Sequence, residues 1–243
     1  MKIFNDAASV KTIDIDGLSI LVVDNLLADP QALRKMALDT HAQSKGNKNL
    51  LRVGERSEIK AGGSVVEVYP NSEKLEKKFP SLVANLAALI KEHIGAQVAA
   101  HYKLPESDAP LELQKGPYFN VVFSVPQNLP HVDAAHISSF VYLNSPSQCW
   151  GGTGIYRHLP TGALFTNQAS TSLDWLAEKP LTKPLTNSTD EWALEYMIEM
   201  KFNRMVAFNG SLIHKIFWPE GPSAFKNNIK QSRLALNSFY WYR

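Results

Sequence analysis

The chain has 243 residues, 44% of them hydrophobic and 20% charged, so it can bury a sizeable core and does not have the composition of a disordered protein. Its 25 Lys and Arg residues and 23 Asp and Glu residues are evenly spread and give a formal charge of +2. This balance argues against a nucleic-acid-binding protein or one held at an anionic membrane surface. The single cysteine, Cys149, excludes an intramolecular disulfide and a cysteine-based zinc site.

The N-terminus resembles neither a secretory signal nor a membrane anchor. A lone lysine is followed by acidic residues where a signal peptide would have its apolar region. No apolar run approaches the roughly 18 residues that a spanning helix requires. We therefore expect a cytoplasmic protein, of a bacterial type, with no membrane partner.

The first part of the chain, residues 1–115, is expected to supply supporting helices and strands. Residues 18–23 form a short apolar run that is typical of a buried strand. Asp29 and Pro30 then have the character of an N-cap and a first helical residue, and predict a helix. Residues 41–63 are polar and rich in glycine, which predicts a surface loop.

A second helix is predicted to begin at Pro80 and Ser81, because apolar residues follow at helical spacing. Gly95 has the character of a C-cap, so we expect this helix to end there. Both helices would support one face of a sheet.

The second part of the chain, residues 116–243, is dominated by short strand patterns. Runs rich in β-branched and aromatic residues alternate with turns that contain Pro, Gly and Asn, which predicts a sandwich or a barrel. These runs are residues 118–125, 137–143, 154–157, 204–208, 212–218 and 234–242. One helix is predicted near residues 189–200, because Ser188 and Glu191 have the spacing of a capping box.

Three residues form a possible metal site. His131 and Asp133 are two positions apart, so an extended segment places both side chains on one face. His214 lies in a strand-like run further along the chain. Two histidines and one carboxylate are the ligand set that binds non-heme Fe(II) on one face and leaves other positions open.

The order of motifs around these residues resembles that of the 2-oxoglutarate/Fe(II)-dependent oxygenases, in particular the prolyl-4-hydroxylase-like branch. The resemblance covers residues 116–243. It rests on the HxD motif, a Tyr-Leu-Asn strand end, a double-glycine turn, an aromatic strand before the distal histidine and a basic residue on the last strand. In this sequence those segments are residues 131–133, 142–144, 149–154, 203–214 and 232–237.

The resemblance implies a mainly β (α+β) fold: a double-stranded β-helix, or jelly-roll, core with flanking N-terminal helices, in a single domain spanning 1–243. It implies that His131, Asp133 and His214 bind Fe(II), and that Arg233 pairs with the distal carboxylate of 2-oxoglutarate. The implied reaction is the hydroxylation of a C–H bond, coupled to conversion of 2-oxoglutarate into succinate and CO2.

Two features depart from the family's pattern. Arg233 lies further from His214 than is usual, and residues 219–230 have the composition of an enlarged loop that would absorb the difference. The family tends to have a hydroxyl residue two positions after the arginine, where this chain has Ala235. Tyr118 on an earlier strand, or Asn237 in phase on the same strand, would supply the missing polar group.

The primary substrate is not specified by these motifs. A small metabolite, an amino acid or a peptidyl residue each fits, and Arg157, His158 and His136 are expected near the rim of the site. His136 is also a rival metal ligand because it closely follows Asp133. Two alternatives stay open: a cupin-like metalloenzyme that does not use 2-oxoglutarate, and a β-barrel binding protein without activity. The oligomeric state also stays open.

Overall fold

Two antiparallel β-sheets form the frame of the molecule in this computed structural model. The structure describes residues 2–44, 51–52, 65–104, 109–122, 130–166, 188–217, 230 and 232–243. Most of the predicted loop at residues 41–63 and almost all of the predicted loop at residues 219–230 lie outside these ranges, and residues 41–44 belong to a helix. Among the described residues, no helix is both long and apolar enough to cross a membrane.

Among the described residues, the larger sheet contains eight strands and combines the two parts of the chain. Its strands are β1 (Ser9–Ile15), β2 (Leu18–Asp24), β3 (Leu51–Arg52), β4 (Val65–Val68), β5 (Leu111–Val122), β6 (Ile137–Tyr142), β9 (Met205–Asn209) and β11 (Arg233–Tyr242). They lie in the order β1-β2-β9-β6-β11-β5-β4-β3. The smaller sheet contains β7 (Gly152–His158), β8 (Trp192–Glu199) and β10 (His214–Phe217), in the order β10-β7-β8.

The helices cover the outer face of the larger sheet. They are α1 (Pro30–Ser44), α2 (Ser72–Lys78), α3 (Leu82–Ile90) and α4 (Ala96–His101). Asp29 caps α1 as predicted, because its Oδ1 accepts a hydrogen bond of 3.0 Å from the N–H of Ala32. Apolar side chains of these helices form one buried cluster with Phe119, Val141 and Leu236 of the sheet. The prediction that the helices support a sheet is therefore confirmed.

Strand β11 divides the interior into two layers by the alternation of its side chains. Leu234, Leu236 and Tyr240 belong to the cluster under the helices. Ala235 faces the other way and packs in the second cluster, which fills the space between the two sheets. Residues in phase with Ala235 therefore face the interior of the sandwich, where the candidate site lies.

Two details of the sequence interpretation are wrong. Residues 192–199 form strand β8 and not a helix, since they pair along β7 and so satisfy their backbone groups in the smaller sheet. The Ser188 hydroxyl does not cap a helix but accepts from the N–H of Leu194 at 2.9 Å. Gly95 does not end the second helix either, because the chain continues through a π-helical turn at Lys91–Gly95 into α4.

The observed architecture agrees with the predicted mainly β fold. The strands are antiparallel, they form two facing sheets, and the α-helices of the described chain are confined to its N-terminal part. Each of the six predicted strand runs of the second part overlaps an observed strand. The prediction of a jelly-roll core with flanking N-terminal helices is therefore confirmed.

Candidate metal centre

Backbone pairing between two distant segments brings the three candidate ligands together. The N–H of His131 donates to the carbonyl of His214 at 2.9 Å, and the N–H of His214 donates back at 2.8 Å. The segment with the HxD motif thus lies beside β10 at the edge of the smaller sheet. The N–H of Asp133 donates to the carbonyl of Gly210 at 2.8 Å, which fixes the carboxylate on the same side.

The ligand atoms of His131, Asp133 and His214 all lie within 4.8 Å of one another. His214 Nε2 is 3.3 Å from Asp133 Oδ2, and His131 Nε2 is 4.0 Å from Asp133 Oδ1. Metal bonds of about 2.1 Å would place neighbouring ligand atoms about 3 Å apart in an octahedral site. A divalent ion therefore fits between these atoms after small side-chain adjustments.

The charges of the cluster favour a cation. Burial acts to raise the pKa of Asp133, but His214, then His131, and the hydroxyl of Ser138 outweigh it and hold that pKa well below its usual range. Burial acts to lower the pKa of His214, but the neighbouring Asp133 carboxylate outweighs it and raises the pKa. An ionised carboxylate at this place attracts positive charge, which a metal ion supplies.

Neighbouring groups orient two of the ligands. The carbonyl of Leu212 accepts from His214 Nδ1 at 2.9 Å, so the proton of a neutral ring is on Nδ1 and Nε2 is directed towards Asp133. Ser138 Oγ donates to Asp133 Oδ2 at 2.6 Å. The ring of Phe208 packs edge-on to His214 with centroids 4.7 Å apart, and excludes water from that side of the imidazole.

The turn between β9 and β10 is fixed to the segment that follows Asp133. The N–H of Gly210 donates to the carbonyl of His136 at 3.0 Å. A Cβ at Gly210 would lie 2.0 Å from the carbonyl oxygen of Ala135, so no larger residue fits here without moving the backbone. Tyr102 adds a further tie by donating from its hydroxyl to Asn209 Oδ1 at 2.9 Å.

Arg233 is buried in the interior between the sheets, with only 3% of its surface exposed. Its guanidinium lies 5.8 Å from the ring centroid of Phe140 and 5.3 Å from that of Tyr142. Its Nε has no hydrogen-bond partner in the part of the chain that the structure describes. Among the described residues, the arginines that form ion pairs with carboxylates are Arg157, Arg204 and Arg243, and not Arg233.

A row of aromatic rings connects this arginine with the metal site. Phe140 packs against Phe208 at 5.9 Å, and Phe208 packs against His214 at 4.7 Å. Arg233 and His214 therefore face the same interior space from opposite sheets. A buried guanidinium without a carboxylate partner is costly unless an anion accompanies it.

Tyr118 and Asn237, the two predicted polar residues of the co-substrate site, are directly paired across β5 and β11. Both are in phase with Ala235, so they face the interior between the sheets. Asn237 Oδ1 is buried, and no described residue is its hydrogen-bond partner. Burial, followed by the charges of Glu67 and Asp133, raises the pKa of Tyr118, so its hydroxyl stays protonated as a donor.

The structure places Arg157 at the edge where the two sheets meet. Its Nε donates to Glu195 at 2.6 Å, and a terminal nitrogen donates to Asp16 at 2.7 Å. Asp16 belongs to the turn between β1 and β2. The side chain therefore ties the smaller sheet to the larger one, and it would have to exchange these partners to contact a substrate.

His158 and His136 lie outside the cluster of ligand atoms. His158 Nδ1 is 2.8 Å from the hydroxyl of Thr161. His136 Nδ1 accepts from the backbone N–H of Tyr242 at 3.0 Å, and its ring lies 4.5 Å from that of Tyr102. Among the described residues, the group able to hold a metal ion consists of His131, Asp133 and His214 and does not include His136.

Two polar residues of the site were missed in the sequence. Ser138, which donates to Asp133, is the second residue of β6, the strand that follows the HxD motif. Asn120 lies two positions after Tyr118, and its buried Oδ1 has no hydrogen-bond partner within the described ranges. The period of two along a strand was a signal that would have found Asn120. The bond of Ser138 depends on tertiary contacts and had no such signal.

Two solved structures are similar to this chain at low identity. HygX from Streptomyces hygroscopicus, solved with nickel and 2-oxoglutarate bound, is 12% identical, with coverage of 93% of this chain and 83% of its own and a TM-score of 0.46. SnoK, a non-heme α-ketoglutarate-dependent carbocyclase from nogalamycin biosynthesis, is 11% identical, with coverage of 91% and 78% and a TM-score of 0.40. Both scores are below 0.5, so the interpretation of the site rests on its own geometry.

A search of curated protein sequences gave no significant match. One family model, described as "Family of unknown function (DUF6445)", matches residues 67–240. This match spans most of the chain and includes the candidate metal ligands and Arg233. The chain therefore belongs to the DUF6445 family.

Proposed function

We propose that this protein is an Fe(II)- and 2-oxoglutarate-dependent oxygenase that hydroxylates a C–H bond of a small metabolite, an amino acid or a peptidyl residue. One observation carries the proposal. A cluster of two imidazoles and one carboxylate lies in the same interior space as a buried arginine that has no carboxylate partner among the described residues. These are the two halves of a site for a metal-chelating dicarboxylate.

The donor set supports iron. Two imidazole nitrogens and one carboxylate oxygen suit non-heme Fe(II) and leave coordination positions for other ligands. His131, Asp133 and His214 would hold the ion, and Ser138 would keep the carboxylate oriented. With one carboxylate among three ligands, a divalent ion keeps a positive charge that attracts an anionic co-substrate.

The polar groups of β5 and β11 support a dicarboxylate such as 2-oxoglutarate. Arg233 offers a planar fork of donors that suits the carboxylate furthest from the metal. Further polar atoms come from Asn120, Asn237 and Tyr118, whose side chains face the space between the two sheets. The small side chain of Ala235, which pairs with both Asn120 and Tyr142, leaves room beside them.

Bound iron, with 2-oxoglutarate and O2, supplies the oxidising chemistry: one oxygen atom enters the substrate C–H bond, and the other enters succinate as CO2 is lost. The chain's own residues position and shield these reactants. Arg233 fixes one end of the co-substrate, and the rings of Phe140 and Phe208 keep water from the interior. The side of the cluster at His131, whose side chain is 40% exposed, is open to a substrate.

Formation of succinate tests this proposal before any primary substrate is known. Metal-free protein is supplied with Fe(II), 2-oxoglutarate and O2, and slow uncoupled formation of succinate is measured. We expect Fe(II)-dependent succinate from the wild type and from His93→Ala, which changes an exposed histidine of the helical layer. We expect none above background from His214→Ala. Equal rates in His214→Ala and the wild type would contradict the proposal.

A further inference from the structure

The side chain of Lys115 occupies a cage of aromatic rings and one carboxylate. Its Nζ lies 2.9 Å from Glu67 Oε1, 5.1 Å from the ring centroid of Tyr118 and 5.8 Å from that of Phe239. Tyr69 closes the group, since its hydroxyl donates to Glu67 Oε2 at 3.1 Å and its ring lies 5.4 Å from that of Tyr118. We call Glu67, Tyr69, Tyr118 and Phe239 the cation cage.

The cation cage lies on the same face of the larger sheet as the metal ligands. Phe239 is paired with Ser138 across β11 and β6, and opposite residues of an antiparallel pair have their side chains on the same face. Ser138 is the residue whose hydroxyl donates to Asp133. The side chain of Ser138 thus lies between Phe239 of the cage and the metal ligand Asp133.

The cage has the chemistry of a recognition site for an ammonium group. Aromatic faces attract a cation through their quadrupoles, and a carboxylate adds charge and hydrogen-bond acceptors. The Glu67 side chain is 15% exposed, so water screens it only partly. Half of the Lys115 side chain is exposed, so the lysine can swing out into solvent without unfolding its strand.

We propose that the cation cage binds a protonated or alkylated amine of the primary substrate, and that Lys115 occupies the cage until the substrate displaces it. This inference rests on the proposed oxygenase function and names its substrate class. An exposed ion pair contributes little stability, so exchanging one ammonium for another costs little. A substrate held in this way presents the carbon atoms near its amine to the metal side of the interior.

The first test uses butylammonium chloride as the probe and butanol as its uncharged equivalent of similar length. Binding to the full-length protein is measured by calorimetry for the wild type, Lys115→Ala and Lys115→Gln. We expect either substitution to strengthen butylammonium binding by about two- to fivefold, because the competing ammonium, which a weak ion pair holds in the cage, is gone. Lys35→Ala, which changes another exposed lysine in an ion pair, is the matched control and should bind as the wild type does.

Adding Glu67→Gln to the Lys115→Ala variant should remove most of the gained affinity, because the carboxylate is the charged wall of the cage. Two results would overturn the cage as a cation site. One is an affinity for butylammonium in Lys115→Ala equal to that of the wild type. The other is equal binding of butylammonium and butanol by that variant.

The second test separates this inference from the oxygenase proposal. Butylammonium is added to protein loaded with Fe(II) and 2-oxoglutarate, and the rate of succinate formation is measured. A changed rate supports the cage as the substrate site. Normal basal succinate formation with no response to bound butylammonium would overturn the substrate class and leave the oxygenase proposal standing. Butylammonium binding without any Fe(II)-dependent succinate would overturn the oxygenase proposal and, with it, the substrate role of the cage.

Discussion

Replacing Arg233 by methionine should separate co-substrate binding from folding. Arg233 is 3% exposed, and its Nε has no hydrogen-bond partner among the described residues. Removing one partner of a buried charge pair costs about 3–5 kcal/mol. Each 1.4 kcal/mol corresponds to about a tenfold change in affinity, so we expect Arg233→Met to weaken 2-oxoglutarate binding by roughly 100-fold or more.

The same substitution should leave the unliganded protein at least as stable as the wild type. Without an anion, Arg233 is a buried charge whose desolvation is not fully compensated, and methionine of similar length removes that cost. The assay is calorimetric binding of Fe(II) and then of 2-oxoglutarate under anaerobic conditions, together with thermal unfolding of the metal-free protein. Fe(II) affinity should change by less than about threefold, since Arg233 does not touch the metal ligands.

Arg204→Met is the matched control. Arg204 is equally buried, at 4% exposure, but its guanidinium pairs with Asp24 and donates to the carbonyl of Glu199 at 2.8 Å. This variant should lose about 1–3 kcal/mol of stability and keep its affinity for 2-oxoglutarate. The reasoning is refuted if Arg233→Met changes 2-oxoglutarate affinity by less than about tenfold, or if it weakens Fe(II) and 2-oxoglutarate binding equally.

Three further predictions concern the support of the site and the stability of the fold. Ser138→Ala should weaken Fe(II) binding by about 10- to 100-fold in a metal titration, because it removes the hydrogen bond that orients Asp133. Gly210→Ala should lower the free energy of unfolding by more than about 2 kcal/mol and weaken metal binding, since its Cβ would overlap the carbonyl of Ala135. The hydrogen bond from Arg204 lowers the pKa of Asp24 below its usual 3.8. The ion pair therefore stabilises the fold above pH 3.8, and its contribution is lost as the pH falls through the lowered pKa. The difference in free energy of unfolding between the wild type and Arg204→Met, measured by urea unfolding, should therefore shrink below about pH 4.

Each of these predictions has its own contradicting result. Ser139→Ala changes the neighbouring buried hydroxyl, which is on the other face of β6, and should leave Fe(II) affinity unchanged. An equal loss in both serine variants would assign the effect of Ser138 to general destabilisation. Gly162→Ala meets nothing within 4 Å but has a φ of +70°, so it should cost only about 1 kcal/mol. An equal cost at Gly210 would contradict the steric account. A stability difference that is constant down to pH 2 would contradict the lowered pKa of Asp24.

The shared face of His131 and Asp133 could be predicted because it depends on a local rule, whereas the approach of His214 depends on pairing between distant segments. The HxD spacing places two side chains on one face of an extended segment, and the run around His214 has the composition of a strand. The backbone pairing of His131 with His214 then follows from the geometry of the smaller sheet. Arg233 was assigned by the resemblance to the 2-oxoglutarate/Fe(II)-dependent oxygenases, which implies a basic residue on the last core strand, and it lies at the start of β11.

Other elements could not be predicted, because tertiary contacts outweigh local signals. Residues 192–199 combine a capping-box spacing with mixed polarity, and only pairing with β7 makes them a strand. Gly95 resembles a C-cap, but its small size serves close packing: a Cβ there would lie 2.6 Å from the hydroxyl of Tyr242. The setting of Lys115 has no signal in the sequence, since the residues of its cage come from three strands and the segment next to β4.

Anaerobic titration with Fe(II) and then 2-oxoglutarate, followed by visible absorption, tests the central claim most directly. The account predicts a charge-transfer band that requires both ligands and is absent in His214→Ala. Iron binding without that band would contradict the use of 2-oxoglutarate and favour a cupin-like metalloenzyme. No iron binding at all would contradict the metal centre and favour a β-barrel binding protein without activity.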